Sequence, residues 1–230
     1  MVTPFLHPFA SPSRHQFVTI ARGEGALLWD SDGREYVDAM ASLWYCAVGH
    51  GRHEIAEAVA EQLRKLETYS CFDPFTNEPA DQLSELLVRL TPMPEARVFL
   101  CGSGSESVDT AMKLARLAHA AAGHPERTLI VSRERGYHGT NYGGTSAQGI
   151  APNKVGWGPL VPDVEQVPSD DVEALSVLMS ERGNEVAAVI AEPVQGAGGV
   201  HPPPEGYLGD LRRLCDQHGA FLIFDEVITG

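Results

Sequence analysis

Four short polar clusters carry the residues of this sequence that could do chemistry, and each follows a predicted strand. In open parallel sheets the carboxyl ends of the strands line one crevice, and ligands bind there. We therefore expect the four clusters to converge on one small molecule. They are Gly102-Ser103-Gly104-Ser105 after residues 96–101, Arg135-Gly136-Tyr137-His138-Gly139 after 128–132, Glu192-Pro193-Val194-Gln195-Gly196 after 186–191, and Asp225-Glu226 after 221–224.

The side chains in these clusters suit different parts of a ligand. A Gly-x-Gly-Ser turn that opens a helix offers free backbone N–H groups and the positive end of the helix dipole, which suits a phosphate. Tyr137 could stack on a planar ring. Asp225 follows four apolar residues, so its carboxylate is partly desolvated and requires a metal, an arginine or a protonated ring nitrogen. Taken singly, such features also occur in packing turns, half-buried tyrosines and strand ends, and an isolated Glu192 is best explained as a solvated strand end.

The combination is more specific than its parts. A phosphate cradle, a stacking aromatic and a carboxylate for a heterocyclic nitrogen together describe a site for pyridoxal 5'-phosphate (PLP). The carboxylate keeps the pyridine nitrogen protonated, so that the ring accepts the electrons of a substrate carbanion. A purely structural explanation must instead account for four unrelated polar clusters at strand ends of the same polarity.

The elements that position these clusters alternate between strands and helices. Strands that are apolar on both faces, separated by amphipathic helices, indicate an α/β domain with a mostly parallel sheet. Residues 26–30 and 34–38 flank Asp32-Gly33 and predict a hairpin. The first 16 residues are predicted to be a loosely held arm, and residues 135–168 a long glycine-rich loop. Helices are predicted over residues 53–66, 79–90 (ended by Pro92 and Pro94), 105–120, from a cap at Ser169 or Asp170 to about 181, and 207–218.

Charge and composition exclude several classes of protein. Acidic residues outnumber basic ones 31 to 17, a formal net charge of −14, which argues against nucleic acid or an anionic membrane surface as a partner. The apolar stretches are strand-sized, far short of the roughly 20 residues of a membrane span. No secretory signal is visible, and the four scattered cysteines are typical of free thiols, so we expect a cytoplasmic protein. His50 and His53 form a close pair, but no further ligands stand out and we predict no metal site.

The sequence resembles the class III, or subgroup II, aminotransferases of the PLP-dependent fold-type I family. Within that family it is most similar to the ω-amino acid (β-alanine):pyruvate aminotransferases. The resemblance covers roughly residues 17–230, and its motifs occur in the family's order and spacing. They are Leu43-Trp44 with Gly49-His50-Gly51-Arg52, Ser103 to Lys113, Arg133 to Gly139, Glu192 to Gly196, and Phe224 to Gly230.

The resemblance implies a role for each matching residue. Gly104 and Ser105 would hold the PLP phosphate, Tyr137 and Val227 would pack on opposite faces of the pyridine ring, and Asp225 would pair with the ring nitrogen. Glu192 would form hydrogen bonds within the site, near the other substituents of the cofactor ring. Trp44 would line the substrate pocket. The family's sites lie at a homodimer interface, which residues 72–77 would approach. Residues 1–52 would be an arm and a small-domain β segment, and residues 53–230 the first part of the PLP-binding large domain.

The sequence departs from the family in its lysines. A PLP transaminase requires a lysine amine for the Schiff base and for proton transfer, and the family's lysine comes a few tens of residues after the position of Asp225. The lysines here are Lys65, Lys113 and Lys154, and none matches it. We therefore predict that the 230 residues are an N-terminal portion of an aminotransferase, and that this chain by itself cannot transaminate an amine donor with a 2-oxo acid acceptor.

Other readings remain open. The Gly102 turn is similar to the start of a dinucleotide-binding GxGxxG motif, although Ser107 occupies the third glycine position. A lysine-less relative could be a non-catalytic remnant or scaffold. Within the family the alternatives are 4-aminobutyrate, acetylornithine and ornithine aminotransferases and glutamate-1-semialdehyde aminomutase. The exact amine donor stays open.

Overall fold

A computed structural model describes residues 4–93 and 95–230. They divide into two compact units, one ending at Val98 and the other running from Phe99 to Gly230. The second unit contains all four predicted polar clusters. The predicted boundary at residue 52 concerns the domains of the whole protein and stays a prediction. Pro94 and the first three residues of the predicted arm lie outside the described residues.

The unit that ends at Val98 contains a three-stranded antiparallel sheet. Its strands, in spatial and chain order, are β1 (Ile20–Glu24), β2 (Leu27–Asp30) and β3 (Glu35–Val37). The predicted hairpin is confirmed as β2 and β3. Its turn is closed by the carboxylate of Asp30, which accepts hydrogen bonds from Asp32 N and Arg34 N at 2.9 Å each. Strand β1 was not predicted, because its sequence IARGE has no apolar alternation.

Three helical segments complete this unit. The short segment α1 (Ala41–Trp44) is a single turn in which all four residues have a positive φ, between 46° and 73°. The helices α2 (His53–Lys65) and α3 (Glu78–Leu90) match the predicted ones to within a residue at each end. Helix α3 is capped by Asn77, whose Oδ1 accepts a hydrogen bond from Ala80 N at 3.1 Å. Across residues 4–93 and 95–230, no helix is long and apolar enough to span a membrane.

The unit from Phe99 to Gly230 is built on a parallel sheet with the strand order β5-β4-β6-β7. Parallel neighbours require crossover connections, and helices supply them. The predicted α/β class with a mostly parallel sheet is confirmed in this unit. Its elements are α4 (Gly104–Ala121), β4 (Leu129–Arg133), α5 (Tyr142–Ala147), a 3₁₀ turn (Ala151–Lys154), β5 (Val164–Val167), α6 (Val172–Arg182), β6 (Val186–Ala191), α7 (Tyr207–His218) and β7 (Phe221–Phe224).

Both faces of the central strands are covered, which explains their continuous apolar sequences. Every residue of β4 and β6 is buried. On one face, Leu129 and Val131 pack in a cluster with residues of α6 and α7. On the other face, Ile130 packs with Val108, Met112 and Ala115 of α4, the three residues predicted to point inward. The core is therefore a three-layer arrangement that holds the ends of the strands in fixed positions.

One predicted strand is wrong. Residues 96–101 form no strand, and Phe99 is 68% exposed. Their apolar sequence predicts a buried strand, but in the described part of the chain no neighbouring strand hydrogen-bonds to them. The first polar cluster therefore follows an irregular segment, whereas the other three follow β4, β6 and β7 as predicted.

Two details of the loops also differ from the prediction. The predicted loop over residues 135–168 contains α5, the 3₁₀ turn and β5. The cap of α6 is Asp171, whose Oδ1 accepts from Ala174 N at 3.0 Å. Ser169 and Asp170 are instead engaged by Arg135, at 3.1 Å from Ser169 Oγ and 2.5 Å from Asp170 Oδ2. Ser169 and Asp170, which were predicted to cap α6, therefore bind Arg135 of the loop after β4 instead.

Candidate active site

The glycine-rich turn begins α4 and leaves two backbone amides free. Ser103 Oγ accepts a hydrogen bond from Glu106 N at 3.2 Å, and Glu106 Oε2 accepts one from Gly102 N at 2.9 Å. This pair is similar to a capping box, but the glutamate binds the residue before the cap. Within the described residues, the amides of Gly104 and Ser105 have no hydrogen-bond partner. These N–H groups lie at the positive end of an 18-residue helix, an arrangement that suits a phosphate group.

Two other predicted clusters lie directly against this turn. A Cβ atom added to Gly104 would stand 2.8 Å from Val227 Cγ2. Gly139 has a φ of +94°, and a Cβ there would stand 2.9 Å from Ser105 Cα. Thr140 N donates to Ser105 Oγ at 2.9 Å. The segment that follows β7 and the loop that follows β4 therefore meet at the start of α4.

Asp225 presents a nearly buried carboxylate at this place. Its backbone N–H continues the parallel ladder to Ala191 O at 2.9 Å, and its side chain is 6% exposed. Asp225 Oδ2 lies 2.8 Å from His138 Nδ1, and Oδ1 accepts from Val227 N at 3.3 Å. A carboxylate can only accept, so Nδ1 of His138 carries the proton.

His138 is a site residue to which the sequence analysis assigned no role. Its side chain is 1% exposed, and its Nε2 is buried with no partner in the portion of the chain that is described. The position between Tyr137 and Gly139 in a loop after a strand was the available signal. Nothing in the sequence indicated that the ring pairs with a residue 87 positions away.

Glu192 fastens two loops of the site together. Its Oε1 accepts from Tyr137 N at 2.8 Å and its Oε2 from Gly196 N at 3.1 Å. Burial raises the pKa of Glu192, while the two N–H donors act in the opposite direction. Burial, and then the charge of Asp225, raise the pKa of Tyr137. The carboxylate that could have been a solvated strand end is a buried bridge that sets the position of Tyr137.

A second buried side chain missed by the sequence analysis lies below this bridge. Arg133 is 2% exposed, donates to the backbone oxygens of Glu192 and Ser169, and has its guanidinium carbon 5.2 Å from the ring centre of Tyr207. It therefore ties the end of β6 to the end of β4 at the level of the site. Arg133 is the last residue of an apolar strand, and nothing in the sequence indicated that its charged side chain is buried.

Val227 and Trp44, the other two predicted residues, are both exposed. Val227 contacts Gly104 and is otherwise exposed. Trp44 belongs to α1 in the unit that ends at Val98 and is 42% exposed. In residues 4–93 and 95–230, no group of three or more His, Cys, Asp or Glu side chains could hold a metal ion.

In the described residues, neither lysine of this unit is hydrogen-bonded or ion-paired to Asp225. Lys113 is exposed on α4. Lys154 donates to Ser146 O at 2.9 Å and to Gln166 Oε1 at 3.1 Å, and burial lowers its pKa. The third, Lys65, is in the other unit and pairs with Glu78 at 2.9 Å. Taken together, the site offers anion-binding amides, an ionisable aromatic and a held carboxylate, which are the groups expected for a phosphorylated heterocycle.

Comparison with known proteins adds independent support. The family model for class-III aminotransferases matches residues 9–230. An acetylornithine aminotransferase of Methanopyrus kandleri is 41% identical over 213 residues, or 93% of this chain and 52% of its own length. A β-alanine–pyruvate aminotransferase of Pseudomonas aeruginosa is 41% identical over 230 residues, or 92% of this chain and 51% of its own length. The chain thus spans about half the length of these curated relatives.

Solved structures show the same fold. An amine transaminase from an uncultivated Pseudomonas species, determined in its PLP-bound form, superposes with a TM-score of 0.94 at 35% identity, covering 99% of this chain and 56% of that one. A transaminase of the marine bacterium Virgibacillus gives a TM-score of 0.95 at 38% identity, covering 99% and 54%. The predicted fold-type I class is confirmed, as is PLP as the cofactor of the family. By fold, by sequence and by the extent of the family match, this chain belongs to the class III aminotransferases.

Proposed function

We propose that this chain provides the PLP-binding part of an aminotransferase that moves an amino group from an ω-amino acid or amine to pyruvate. One observation carries the proposal. Gly104, in the turn with free amides, lies against Val227, two residues from the buried carboxylate of Asp225. The two groups that PLP needs at opposite ends, a phosphate cradle and an acid for the ring nitrogen, are thus within one small site.

The residues present fit PLP. The amides of Gly104 and Ser105 would hold the phosphate, Tyr137 and Val227 would pack against the ring, and the Asp225 carboxylate would accept the N–H of the ring nitrogen. A side chain larger than hydrogen at Gly104 would overlap Val227, so the cradle depends on glycine. When bound, the cofactor supplies a ring that accepts electrons from the substrate carbon.

The protein's own groups hold the proton and the orientation that this chemistry needs. The negative charge of the Asp225 carboxylate, whose Oδ2 accepts from His138 Nδ1, would favour a proton on the ring nitrogen. His138 prevents rotation of the carboxylate and leaves Oδ1 available besides its weak bond to Val227 N. Glu192 fixes the backbone of Tyr137 by accepting a hydrogen bond from its N–H. This restricts the position of the aromatic ring in the site.

The amine donor is the less defined part of the proposal. A relative named for β-alanine with pyruvate and one named for acetylornithine are equally similar, at 41% identity each. Acetylornithine aminotransferase activity is therefore the second candidate function. We assign Trp44 to the substrate pocket and place the whole protein in the cytoplasm as a homodimer, without nucleic acid or membrane as partners. A panel of β-alanine, 4-aminobutyrate, acetylornithine and simple amines, each with pyruvate or 2-oxoglutarate, discriminates the two in the longer protein.

Binding of PLP by the 230-residue chain tests the site directly. We expect PLP, followed by its absorbance and by quenching of tryptophan fluorescence, to bind saturably and in competition with inorganic phosphate. NAD is the control ligand because the Gly102 turn is also similar to a dinucleotide-binding motif. Binding of NAD without binding of PLP would replace the aminotransferase proposal with a dehydrogenase module.

Turnover by this chain is expected to be absent. A transaminase also needs a lysine amine as nucleophile and as the base that moves the substrate proton. Lys113 is exposed on a helix and Lys154 is bonded to Ser146 and Gln166, so neither is available at Asp225. Incubation with PLP, alanine and an aldehyde should give no pyruvate above the rate of PLP alone. Measurable turnover would contradict this part of the proposal while leaving the binding result intact.

A further inference from the structure

A second group of reactive side chains lies in the unit that ends at Val98. Asp38 follows β3, and Cys46 and His50 lie in the segment between α1 and α2. We propose that Cys46 is a nucleophilic thiol, activated by His50 and Asp38, and that it is a modification site for soft carbon electrophiles. This inference rests on residues of that unit alone and does not depend on the proposed aminotransferase function.

The three side chains are arranged in a row. Asp38 Oδ2 lies 2.7 Å from His50 Nε2, and Cys46 Sγ lies 3.4 Å from His50 Nδ1. The carboxylate accepts the proton of Nε2, so in the neutral ring Nδ1 is an acceptor that faces the S–H group. A nucleophile beside a base, with the base oriented by a third group, is the general arrangement of an activated cysteine.

Asp38 is held in the ionised form that this role requires. Its side chain is 8% exposed. Ser42 N donates to Oδ2 at 2.9 Å and to Oδ1 at 3.1 Å, and Met40 N donates to Oδ1 at 3.3 Å. The hydrogen bond from His50, followed by that from Ser42 N, lowers the pKa of Asp38. The carboxylate can therefore stabilise the imidazolium that forms when His50 takes the thiol proton.

The backbone fixes the imidazole and brings the cysteine to it. His50 pairs with Gly25 through two backbone hydrogen bonds, of 3.0 and 2.8 Å. Its ring packs on Gly23, where an added Cβ would stand 2.7 Å from His50 Cγ. The left-handed turn α1 reverses the chain, and Cys46 N donates to Ala41 O at 2.8 Å. Left-handed backbone is unfavourable for residues other than glycine, so the surrounding structure must maintain this geometry.

Within the described residues, no histidine is hydrogen-bonded to the other three cysteines, which therefore serve as internal references. Cys71 is exposed, and its Sγ accepts from Asn77 Nδ2 at 3.1 Å. Cys101 Sγ contacts Phe99 O at 4.0 Å. Cys215 is buried, and burial raises its pKa to about 11. Cys46 is partly exposed, and among the described residues it is the cysteine with a histidine partner.

The reaction with a haloacetamide illustrates the step. The proton of Cys46 Sγ moves to His50 Nδ1 as the sulfur attacks the methylene carbon of iodoacetamide. The S–C bond forms while the C–I bond breaks, and iodide leaves with the bonding electrons. His50 then releases the proton to water, so no oxidant or reductant is required.

The experiment measures the alkylation rate of each cysteine in the 230-residue chain without PLP. Iodoacetamide is added at neutral pH, and the modified peptides are quantified by mass spectrometry. We expect Cys46 to react about tenfold faster than Cys71, because thiolate character controls the rate. In urea, where the row is lost, the two rates should become similar.

Variants separate activation from simple accessibility. His50→Gln should bring the rate of Cys46 to or below that of Cys71, Asp38→Asn should lower it partly, and His53→Gln is the matched control that should leave it unchanged. Circular dichroism reports whether each variant is folded. The proposal is wrong if Cys46 in the wild-type chain reacts no faster than Cys71, a comparison that requires no variant, or if a folded His50→Gln chain keeps the fast rate.

Discussion

Replacement of Asp225 by asparagine is expected to weaken PLP binding by roughly 10- to 150-fold. A hydrogen bond to a charged group contributes about 1.5–3 kcal/mol, and 1.4 kcal/mol corresponds to a tenfold change in affinity. The amide keeps the size of the side chain and an oxygen for His138 Nδ1, but it has no charge with which to retain a proton on the ring nitrogen. Titration of PLP into both proteins, followed by tryptophan fluorescence, gives the ratio of the dissociation constants.

Glu226→Gln is the matched control for this measurement. Glu226 is the adjacent residue, carries the same charge and is exposed, so its neutralisation should leave the affinity for PLP within about twofold if surface charge contributes little. Equal losses in the two variants would indicate a general effect of net charge. An unchanged affinity in Asp225→Asn would remove Asp225 from the cofactor site.

Gly144→Ala is expected to lower the free energy of unfolding by about 3 kcal/mol, the upper part of the range for overpacking a buried position. A Cβ on Gly144 would overlap His138 O and stand 3.3 Å from Gly139 C. Helix α5 cannot move away freely, because Gly144 N donates to Asp109 Oδ1 at 2.9 Å. The turn that carries His138 must therefore shift. Urea unfolding followed by circular dichroism measures the change.

Gly209→Ala is the control, and we expect it to change the free energy of unfolding in the opposite direction. Gly209 is also in a helix, α7, but a Cβ there would meet nothing within 4 Å. Alanine in place of glycine in such a position should stabilise the protein by roughly 0.5–1 kcal/mol. If both alanine variants changed stability in the same direction, the close approach of α5 to the 138–139 turn would not be supported.

The parts of the fold that the sequence predicted correctly are those in which local pattern and burial agree. The residues of β6 and helix α7 were predicted at their observed bounds, because a fully buried strand and an amphipathic helix each have a distinct apolar period. Residues 96–101 are also apolar, but in the described part of the chain no strand pairs with them. Strand β5, sequence VEQV, lies at the sheet's edge and has too few apolar residues to be recognised.

The candidate site likewise contains features that could be predicted from the sequence and features that could not. Its clusters could be found because polar residues after apolar strands stand out, and the family assignment that they support is confirmed. The pairing of His138 with Asp225 and the row from Asp38 to Cys46 depend on loop geometry, and loop geometry depends on backbone angles such as the positive φ values of α1. Residue types alone do not determine those angles. The roles of all the predicted site residues stay predictions, namely those of Trp44, Gly104, Ser105, Tyr137, Glu192, Asp225 and Val227.

The contact between Gly104 and Val227 joins the beginning of the second unit to its end. Such a long-range contact closes a loop of more than a hundred residues, at a cost in chain entropy. A ligand that lies across it is lost if either end of the unit opens. Binding would therefore stabilise the unit as a whole, by mass action, rather than a single loop.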